Sequence, residues 1–353
     1  MTRVGIVAAS GYIGGELIRL LLTHPKVELT TATSRKYAGE YVFRVHPNLR
    51  GVTELKFSDY NLATVTERSD VVFTALPHGE SIRYIPQLAA AGLRVVDLSA
   101  DYRLKDPQQY SIWYGFQHPS PDLLGRFVYA VPEINRDEIR HASLLSSPGC
   151  MAIATILALT PLLKAKELEI DHDHIIVDAK IGSSGSGGKP STSTHFSERY
   201  SVVRPYAPAG HRHSAEIEQV LSSVAGERVK VSMSAHAVNM VRGILSTCHL
   251  FSGKEIEPIT LWKAYRGMYS GSYFIRFVRD KKGPFRLPDP KLVTGSNFCD
   301  IGFETEQRTG RVVALSAIDN LIKGAAGNAI QSMNLMLGFD EKAGLANAPL
   351  HPV

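Results

Sequence analysis

The first half of the chain alternates short runs of β-branched residues with helical stretches, and this alternation restricts the possible folds more than any other feature. The pattern predicts strands at 4–7, 28–32, 71–76 and 94–98, and helices at 14–22 and 81–91. Strands that alternate with helices form parallel βαβ units whose sheet is covered on both faces. We therefore predict a doubly wound α/β domain.

After Pro148 the pattern changes to many strands with few helices between them. Helices are predicted at 151–165 and 324–337, and strands at 175–181, 229–235, 244–251, 273–278, 300–304 and 311–318. Several of these strands alternate apolar with polar residues, which is typical of a largely antiparallel sheet. We predict an α/β chain with an N-terminal Rossmann-like domain (1–148) and an α+β catalytic and dimerisation domain (149–319) with a mainly antiparallel sheet. Residues 320–353, with the final helix, are expected to return to the first domain.

The composition is that of an ordinary globular protein, with 44% hydrophobic and 21% charged residues in 353, and it excludes disordered, collagen-like and disulfide-scaffold classes. Three cysteines in so long a chain indicate a reducing compartment. No signal peptide or membrane span is predicted, so we expect a cytoplasmic protein. The net charge of +5 is too mild to predict nucleic-acid binding, and it favours an anionic substrate or an acidic protein partner.

The turn that follows the first predicted strand has the composition of a dinucleotide site. It reads Ser10-Gly11-Tyr12-Ile13 and opens a helix. At such a turn glycines let the backbone approach a pyrophosphate, and the helix N-terminus presents free N–H groups. Ala8 stands at the first glycine of G-x-G-x-x-G, so the pattern alone also fits an ordinary strand-to-helix turn. We predict that residues 10–13 bind the cofactor.

The end of the second predicted strand indicates which dinucleotide is bound. An NAD site places Asp or Glu there to accept the ribose 2′-hydroxyl, but this chain has Ser34-Arg35-Lys36. A hydroxyl followed by two cations suits a 2′-phosphate, and a solvated basic turn is the alternative interpretation. We predict NADP(H) as the cofactor, with Ser34, Arg35 and Lys36 at its 2′-phosphate.

Cys150 is the candidate nucleophile. It follows Pro148-Gly149 and comes immediately before an apolar helical stretch. A helix N-terminus stabilises a thiolate and makes such a cysteine reactive, although a buried small residue would fit the same pattern. Cys248 and Cys299 lie inside predicted strands, and we expect both in the core.

A thiol nucleophile needs an acid/base partner, and the segment His211-Arg212-His213 with Glu216 supplies candidates. The segment is predicted as a loop that enters a helix. The H-x-H spacing also suggests a metal ligand pair, but no further Cys or His cluster completes a ligand set. We therefore predict no metal site.

Two further segments carry candidate groups. Residues 97–104 follow a buried strand at the sheet edge where α/β proteins bind ligands, and Arg103 there could clamp a phosphate or carboxylate or pair with Asp97 or Asp101. The Gly/Ser-rich segment 182–189 is not a P-loop, because proline follows its lysine. We predict that it is a mobile loop near the site.

Together these motifs resemble the N-acetyl-γ-glutamyl-phosphate reductase family, which is related to aspartate-semialdehyde dehydrogenase. The resemblance covers nearly the whole chain and lies in residues 10–16, 75–79, 97–104, 131–133, 148–150, 211–213, 242–245 and 317–324. Residues 33–51 and 281–290 are similar to the branch that reduces an aminoadipyl or glutamyl phosphate on the small acidic carrier protein LysW, in lysine or arginine biosynthesis. Met151-Ala152 stands where acetylglutamyl enzymes typically have Tyr-Pro.

The resemblance implies a mechanism for this chain. Cys150 would attack the acyl phosphate to give a thioester and release phosphate, and NADPH would reduce the thioester to a semialdehyde. His211 would be the acid/base, Arg103 and Arg212 would bind substrate, and Asn320 would lie near the cofactor. A homo-oligomer, dimer or tetramer, is expected. The alternatives are a reductase of free N-acetylglutamyl phosphate and, in another class, a non-catalytic NADP-binding redox sensor.

A basic segment supplies a candidate docking surface for the carrier. Arg279, Lys281, Lys282 and Arg286 lie within eight residues around a Gly-Pro pair. This composition predicts an exposed basic loop that would attract an acidic carrier, and a solvated turn without a partner is the alternative.

Overall fold

The computed structural model describes all 353 residues, which divide into two compact units. The N-terminal unit comprises Met1–Pro148 and Ala325–Asn347, and the second unit comprises Gly149–Gly324 and Ala348–Val353. Residues 320–324 and 348–353, which the sequence places with the first domain, group with the second unit.

The N-terminal unit is built on a six-stranded, wholly parallel sheet. Its strands are β1 (Thr2–Val7), β2 (Val27–Ala32), β3 (Val71–Thr74), β4 (Arg94–Asp97), β5 (Val128–Tyr129) and β6 (Leu144–Ser146). The strand order is β2-β1-β3-β4-β6-β5. The chain therefore turns to opposite sides after β1 and after β2, and this creates the switch point where doubly wound sheets bind ligands.

Helices connect these strands. They are α1 (Tyr12–Leu21), α2 (Val42–Val45), α3 (Leu62–Arg68), α4 (Ile85–Ala90), α5 (Gln108–Trp113), α6 (Pro121–Leu124) and α7 (Pro132–His141), and the last helix of the chain, α12 (Gly327–Met336), packs on α7. The parallel α/β fold is confirmed. The single helix predicted at 81–91 is wrong: a 3-10 turn (Ser81–Arg83) precedes α4, since Pro86 lacks an N–H and is tolerated only in the first turn of a helix.

The second unit contains a seven-stranded mixed sheet. Its strands are β7 (Ile175–Ile181), β8 (Val203–Ala207), β9 (Val231–Val238), β10 (Ile244–Phe251), β11 (Ile275–Phe277), β12 (Cys299–Glu306) and β13 (Arg311–Ile318). The strand order is β11-β12-β13-β10-β7-β9-β8. Only the pairs β7–β9 and β11–β12 are parallel, so the sheet is mainly antiparallel, as predicted.

One helix forms the centre of this unit. The helices are α8 (Cys150–Lys164), α9 (Phe196–Arg199), α10 (His213–Ala225) and α11 (Pro258–Tyr269), and α8 contacts β10, β13, α10 and α11. Every residue of α8 from Met151 to Leu163 is buried, which agrees with a sequence that is apolar on all its faces. None of the helices combines the length with the apolar character that a membrane-spanning segment needs.

Pro161 lies inside α8 and is accommodated by a residue of α11. Because proline has no N–H, the carbonyl of Leu157, four residues earlier, loses its usual helical donor. The buried Tyr269 hydroxyl donates to that carbonyl at 2.9 Å. The α8–α11 contact thus satisfies a buried acceptor that the proline would leave without its helical bond.

Candidate active site

The turn after β1 has the tight geometry that a dinucleotide site requires. Ala8 has φ of 63°, a left-handed conformation that usually needs glycine, and its N–H donates to Thr33 Oγ1 at 3.1 Å. A Cβ on Gly14 would lie 2.3 Å from the carbonyl oxygen of Ala9, so α1 packs directly on the turn. The alanine at the first glycine position therefore does not prevent the glycine-type bend.

His46 lies beneath this turn, a place that the sequence did not indicate. Its Nε2 donates to the carbonyl oxygen of Ala9 at 3.0 Å, and the side chain is buried. Burial lowers the pKa of His46 from its ordinary value. The neutral imidazole thus supports the turn from below, and no sequence spacing connects residues 9 and 46.

The predicted 2′-phosphate residues lie at the end of β2, next to the turn. Ser34 is buried, and its hydroxyl donates to Ser10 Oγ at 3.0 Å. Arg35 and Lys36 are exposed, and Lys36 Nζ lies 4.9 Å from the centre of the Tyr37 ring. Two exposed cations beside a glycine-lined helix start form a surface that fits a phosphorylated dinucleotide.

Arg103 is buried and held by backbone carbonyls at the carboxyl edge of the parallel sheet. Its Nε donates to the Ser147 carbonyl at 2.8 Å, and an Nη donates to the Leu98 carbonyl at 3.1 Å. Leu98 follows β4 and Ser147 follows β6, so the guanidinium bridges the ends of two neighbouring strands. Nearby, burial raises the pKa of Asp101 to about 6, and its carboxylate accepts the Gly79 N–H at 2.7 Å.

Cys150 is the first residue of α8 and is half-buried. The N–H of the preceding Gly149 donates to Glu216 Oε2 at 2.8 Å. Tyr206, on β8, lies over the same helix start, with its hydroxyl 3.9 Å from Met151 Sδ. Tyr206 is about half exposed, but desolvation around its hydroxyl and the nearby Cys150 raise its pKa to about 12, so the hydroxyl stays protonated at neutral pH. The sequence did not indicate Tyr206, because β8 lies outside every predicted strand.

His211 lies two residues before the start of α10, close to Tyr206 and His213. Its ring centre is 6.0 Å from that of Tyr206 and 4.6 Å from that of His213. Burial and the neighbouring, exposed Arg212 lower the pKa of His211 to about 4. Since Nδ1 of His211 accepts the His213 N–H at 3.1 Å, the neutral ring carries its proton on Nε2. A neutral donor of this kind can bond to an oxygen on which negative charge develops.

Asn320 is buried after β13 and joins two backbone segments. Its Oδ1 accepts the Gly243 N–H at 2.8 Å, and its Nδ2 donates to Ser184 Oγ at 2.9 Å. The Gly/Ser segment that was predicted as a mobile loop forms a 3-10 turn, Ser183–Ser186. Backbone bonds to Met240 and Val241 hold it in place. These anchoring partners lie far away in sequence, so the local pattern did not indicate them, and residues 187–189 continue beyond the turn as exposed chain.

The predicted basic loop differs from expectation in two of its four cations. Arg279 and Arg286 both bind Glu304 of β12, at 3.1 and 3.2 Å. Only Lys281 and Lys282 remain as exposed cations without an acidic partner. Glu304, about 20 positions further along the chain, pairs with two of the four cations that the local sequence predicted to be free for a partner.

Cys248 and Cys299 are buried in β10 and β12, as predicted. Burial raises the pKa of Cys248 to about 12, which makes its thiol inert. No group of three or more His, Cys, Asp or Glu side chains is placed to hold a metal ion.

Two family matches define the class of protein. Residues 3–142 match "Semialdehyde dehydrogenase, NAD binding domain", and residues 150–320 match "Semialdehyde dehydrogenase, dimerisation domain". Solved structures of the same fold include aspartate semialdehyde dehydrogenase II from Vibrio cholerae (TM-score 0.71, 17% identity, 96% of this chain and 99% of that chain). Another, from Candida albicans with NADP, has a TM-score of 0.68 at 16% identity over 96% of this chain and 99% of that chain. The fold and these matches define a semialdehyde dehydrogenase, an oxidoreductase class with a nicotinamide dinucleotide domain.

Closer relatives narrow the assignment. Two proteins named [LysW]-L-2-aminoadipate/[LysW]-L-glutamate phosphate reductase are each 49% identical to this chain. The one from Saccharolobus solfataricus covers 99% of this chain and 98% of its own length, and the one from Sulfurisphaera tokodaii covers 100% of both. A chain from Nitrosopumilus maritimus is 53% identical over 99% of this chain and 100% of its own. The chain belongs to the family of these LysW-dependent phosphate reductases.

Proposed function

We propose that this protein reduces an aminoadipyl or glutamyl acyl phosphate, carried by the acidic protein LysW, to the semialdehyde with release of phosphate. The observation that carries the proposal is Cys150 at the start of α8, within a family whose named members are LysW-linked phosphate reductases. Met151-Ala152 after the cysteine disfavours the free acetylated substrate, because that pair replaces the Tyr-Pro typical of acetylglutamyl enzymes.

Cys150 is the nucleophile in this proposal. Its thiolate attacks the acyl carbonyl, the carbon–oxygen bond to phosphate breaks, and a thioester forms. The free N–H groups and the dipole at the start of α8 stabilise the thiolate, so the attack does not require a protonated histidine nearby. Arg103 and Arg212 are proposed to bind the anionic substrate, and a bidentate arginine suits a phosphoryl group.

His211 supplies the acid/base function. The neutral imidazole, with its proton on Nε2, donates a hydrogen bond to the carbonyl oxygen as negative charge develops there. When the tetrahedral oxyanion collapses to the aldehyde, this hydrogen bond weakens and the proton stays on Nε2, because its complete transfer would leave an imidazolate. The sulfur of Cys150 is then released as the thiolate.

The cofactor is proposed to be NADPH, which supplies a hydride to the thioester carbon. Residues 10–13 would hold the pyrophosphate, because the start of α1 presents free N–H groups there. Ser34, Arg35 and Lys36 would hold the 2′-phosphate. We place Asn320 near the cofactor from the resemblance, and its bonds to Gly243 and Ser184 join the segments that carry these residues.

The exposed pair Lys281 and Lys282 is proposed as the carrier-docking surface, because an acidic partner is attracted to unpaired cations. We further propose a cytoplasmic homo-oligomer. Its support is the match of the second unit to a dimerisation domain.

The test is a direct comparison of substrates. Purified protein is assayed with NADPH and either carrier-bound aminoadipyl and glutamyl phosphates or free N-acetylglutamyl phosphate. We expect reduction of the carrier-bound substrates and little turnover of the free one. Preference for the acetylated substrate would contradict the LysW assignment, and absence of reduction with all three would contradict the reductase itself.

Replacement of the nucleophile tests the chemistry separately. Cys150→Ser should abolish reduction and leave NADPH binding nearly intact, since a serine hydroxyl is a far weaker nucleophile at neutral pH. Cys248→Ala, at a buried cysteine of β10, is the matched control and should remain active. If Cys150→Ser keeps about a tenth of the wild-type rate, Cys150 is not the nucleophile.

A further inference from the structure

The helix that begins at Cys150 has no side-chain cap of its own. Gly149 precedes it with φ of −65° and ψ of 144°, and as a glycine it has no side chain that could accept one of the free N–H groups. In a capping box, a Glu or Gln at the third helical position accepts the N–H of the residue before the helix. Here that position holds Ala152, which cannot do so.

A glutamate from another helix makes this missing bond. Glu216, in the first turns of α10, accepts the Gly149 N–H through Oε2 at 2.8 Å, although 67 residues separate the two. Its side chain is fully buried. We propose that Glu216 is a positioning residue for Cys150, and that it replaces in tertiary structure the capping glutamate that α8 lacks. This proposal rests on the proposed role of Cys150 as nucleophile.

A side chain at position 149 would have to displace the groups packed over the backbone there. A Cβ there would lie 2.4 Å from His213 Nε2 and 2.8 Å from Glu216 Oε1. The imidazole and the carboxylate therefore both close over the backbone of Gly149. This packing limits the freedom that a glycine would otherwise give to the first turn of α8.

The same turn of α10 also orients the proposed acid/base group. The N–H of His213 donates to Nδ1 of His211, and Glu216 lies 3.8 Å from His213 Nε2 on the next turn. A shift of Glu216 would therefore disturb the start of α8 and the anchor of His211 together. Small displacements of reacting groups are costly, and about 1 Å can reduce a rate about 100-fold.

Helix α10 contains a matched control. Glu218, two residues further along, also accepts a backbone N–H at 2.8 Å, but the donor is Val231 of β9. Both bonds join α10 to a neighbouring element through a glutamate side chain. Only the Glu216 bond leads to the helix that carries Cys150. A comparison of variants at Glu216 and Glu218 therefore distinguishes positioning of the cysteine from general stabilisation of α10.

The experiment measures the thiol directly and does not depend on the acyl-phosphate substrate. Wild type, Glu216→Ala, Glu216→Gln and Glu218→Ala are treated with iodoacetamide between pH 5 and pH 9, and mass spectrometry locates the alkylated cysteine. The kcat, and the KM for NADPH, are measured on the same preparations. Because alkylation requires only the thiolate, an error in the substrate assignment would leave this result interpretable.

We expect Glu216→Ala to reduce both the alkylation rate of Cys150 at pH 7 and kcat by about tenfold or more, with an unchanged KM for NADPH. Glu216→Gln keeps an acceptor oxygen for the Gly149 N–H and should stay within about threefold of wild type. Glu218→Ala should leave thiol reactivity unchanged.

Three outcomes would overturn the proposal. One is a folded Glu216→Ala protein whose Cys150 reacts at the wild-type rate, which would make Glu216 merely structural. The second is faster alkylation in both Glu216 variants, which would mean that the glutamate acts on the thiol by charge. The third is a decrease in alkylation rate and kcat in Glu218→Ala as large as the decrease in Glu216→Ala. If Glu216→Ala does not fold, Glu216→Asp, which shortens the reach to Gly149 by one methylene, replaces it with the same expected decrease.

Discussion

The hydroxyl of Ser34 donates to the hydroxyl of Ser10 at 3.0 Å, and this bond joins the end of β2 to the turn after β1. The two segments form the surfaces proposed for the 2′-phosphate and the pyrophosphate. Because the bond fixes one relative to the other, Arg35 and Lys36 project from a defined position beside the turn.

The first prediction concerns cofactor preference. NADPH should be preferred over NADH, and Arg35→Ala should reduce the preference by raising the KM for NADPH. One charge-assisted hydrogen bond contributes ~1.5–3 kcal/mol, or roughly ten- to a hundredfold. The control is Arg94→Ala, at an exposed arginine at the opposite, amino end of β4. Equal kcat/KM for the two cofactors in the wild type would contradict the assignment.

The second prediction concerns the pH dependence of stability. Burial beside Arg212 lowers the pKa of His211 from 6.5 to about 4. As the pH falls through this interval, the unfolded chain takes up a proton that the folded protein does not, so unfolding becomes more favourable. His211→Gln removes this group, so its free energy of unfolding should decrease less than that of the wild type between pH 6.5 and pH 4.

Thermal denaturation across that range measures the difference. Exposed His195, replaced by Gln, is the control for removal of a histidine from the surface. His24, His46 and His118, whose pKa values burial also lowers, remain in both variants, so the slope should decrease but not vanish. Parallel profiles for wild type and His211→Gln would show that His211 titrates normally.

The third prediction concerns the carrier. Lys281→Glu with Lys282→Glu should lower kcat/KM for carrier-bound substrate and leave thermal stability nearly unchanged, because exposed charges contribute little to folding. Added salt should also lower the kcat/KM of the wild type for carrier-bound substrate, since ~0.15 M ionic strength screens charges beyond ~8 Å. Lys166→Glu with Lys263→Glu, at exposed lysines of the same unit, controls for net charge. An unaltered kcat/KM at low salt would place the docking surface elsewhere.

The fourth prediction concerns the proline inside α8. Tyr269→Phe removes the donor to the Leu157 carbonyl, and a buried acceptor left without a partner costs ~1–3 kcal/mol. Tyr265→Phe is the matched control: its hydroxyl donates to the Ala158 carbonyl at 2.7 Å, which the N–H of Leu162 can also reach along the helix. We expect a lower Tm for the first variant by about 2–4 °C per kcal/mol and a smaller decrease for the second. Equal decreases in Tm would mean that Pro161 does not make the Leu157 carbonyl depend on the Tyr269 hydroxyl.

The elements with a strong local pattern were predicted correctly, and those without one were missed. Strands β1 to β4, which contain β-branched residues, and the apolar helix α8 lie within two residues of the predicted ends. The two-residue strand β5 has no periodicity to detect, and α11 was missed entirely. For the site, the local context of Cys150 and of residues 34–36 predicted candidates, because helix starts and strand ends are local features.

The sequence by itself determined the α/β class, the two-part organisation and the family, since these follow from local periodicity and short motifs. Only the tertiary structure decided which residues support those motifs. Glu216 bonds to Gly149 across 67 residues, and Asn320 bonds to Ser184 across 136. Glu304 likewise binds Arg279 and Arg286, so two lysines, and not four cations, are left without an acidic partner. Such pairs depend on how helices and strands pack, and packing at long range leaves no periodic signal in the chain.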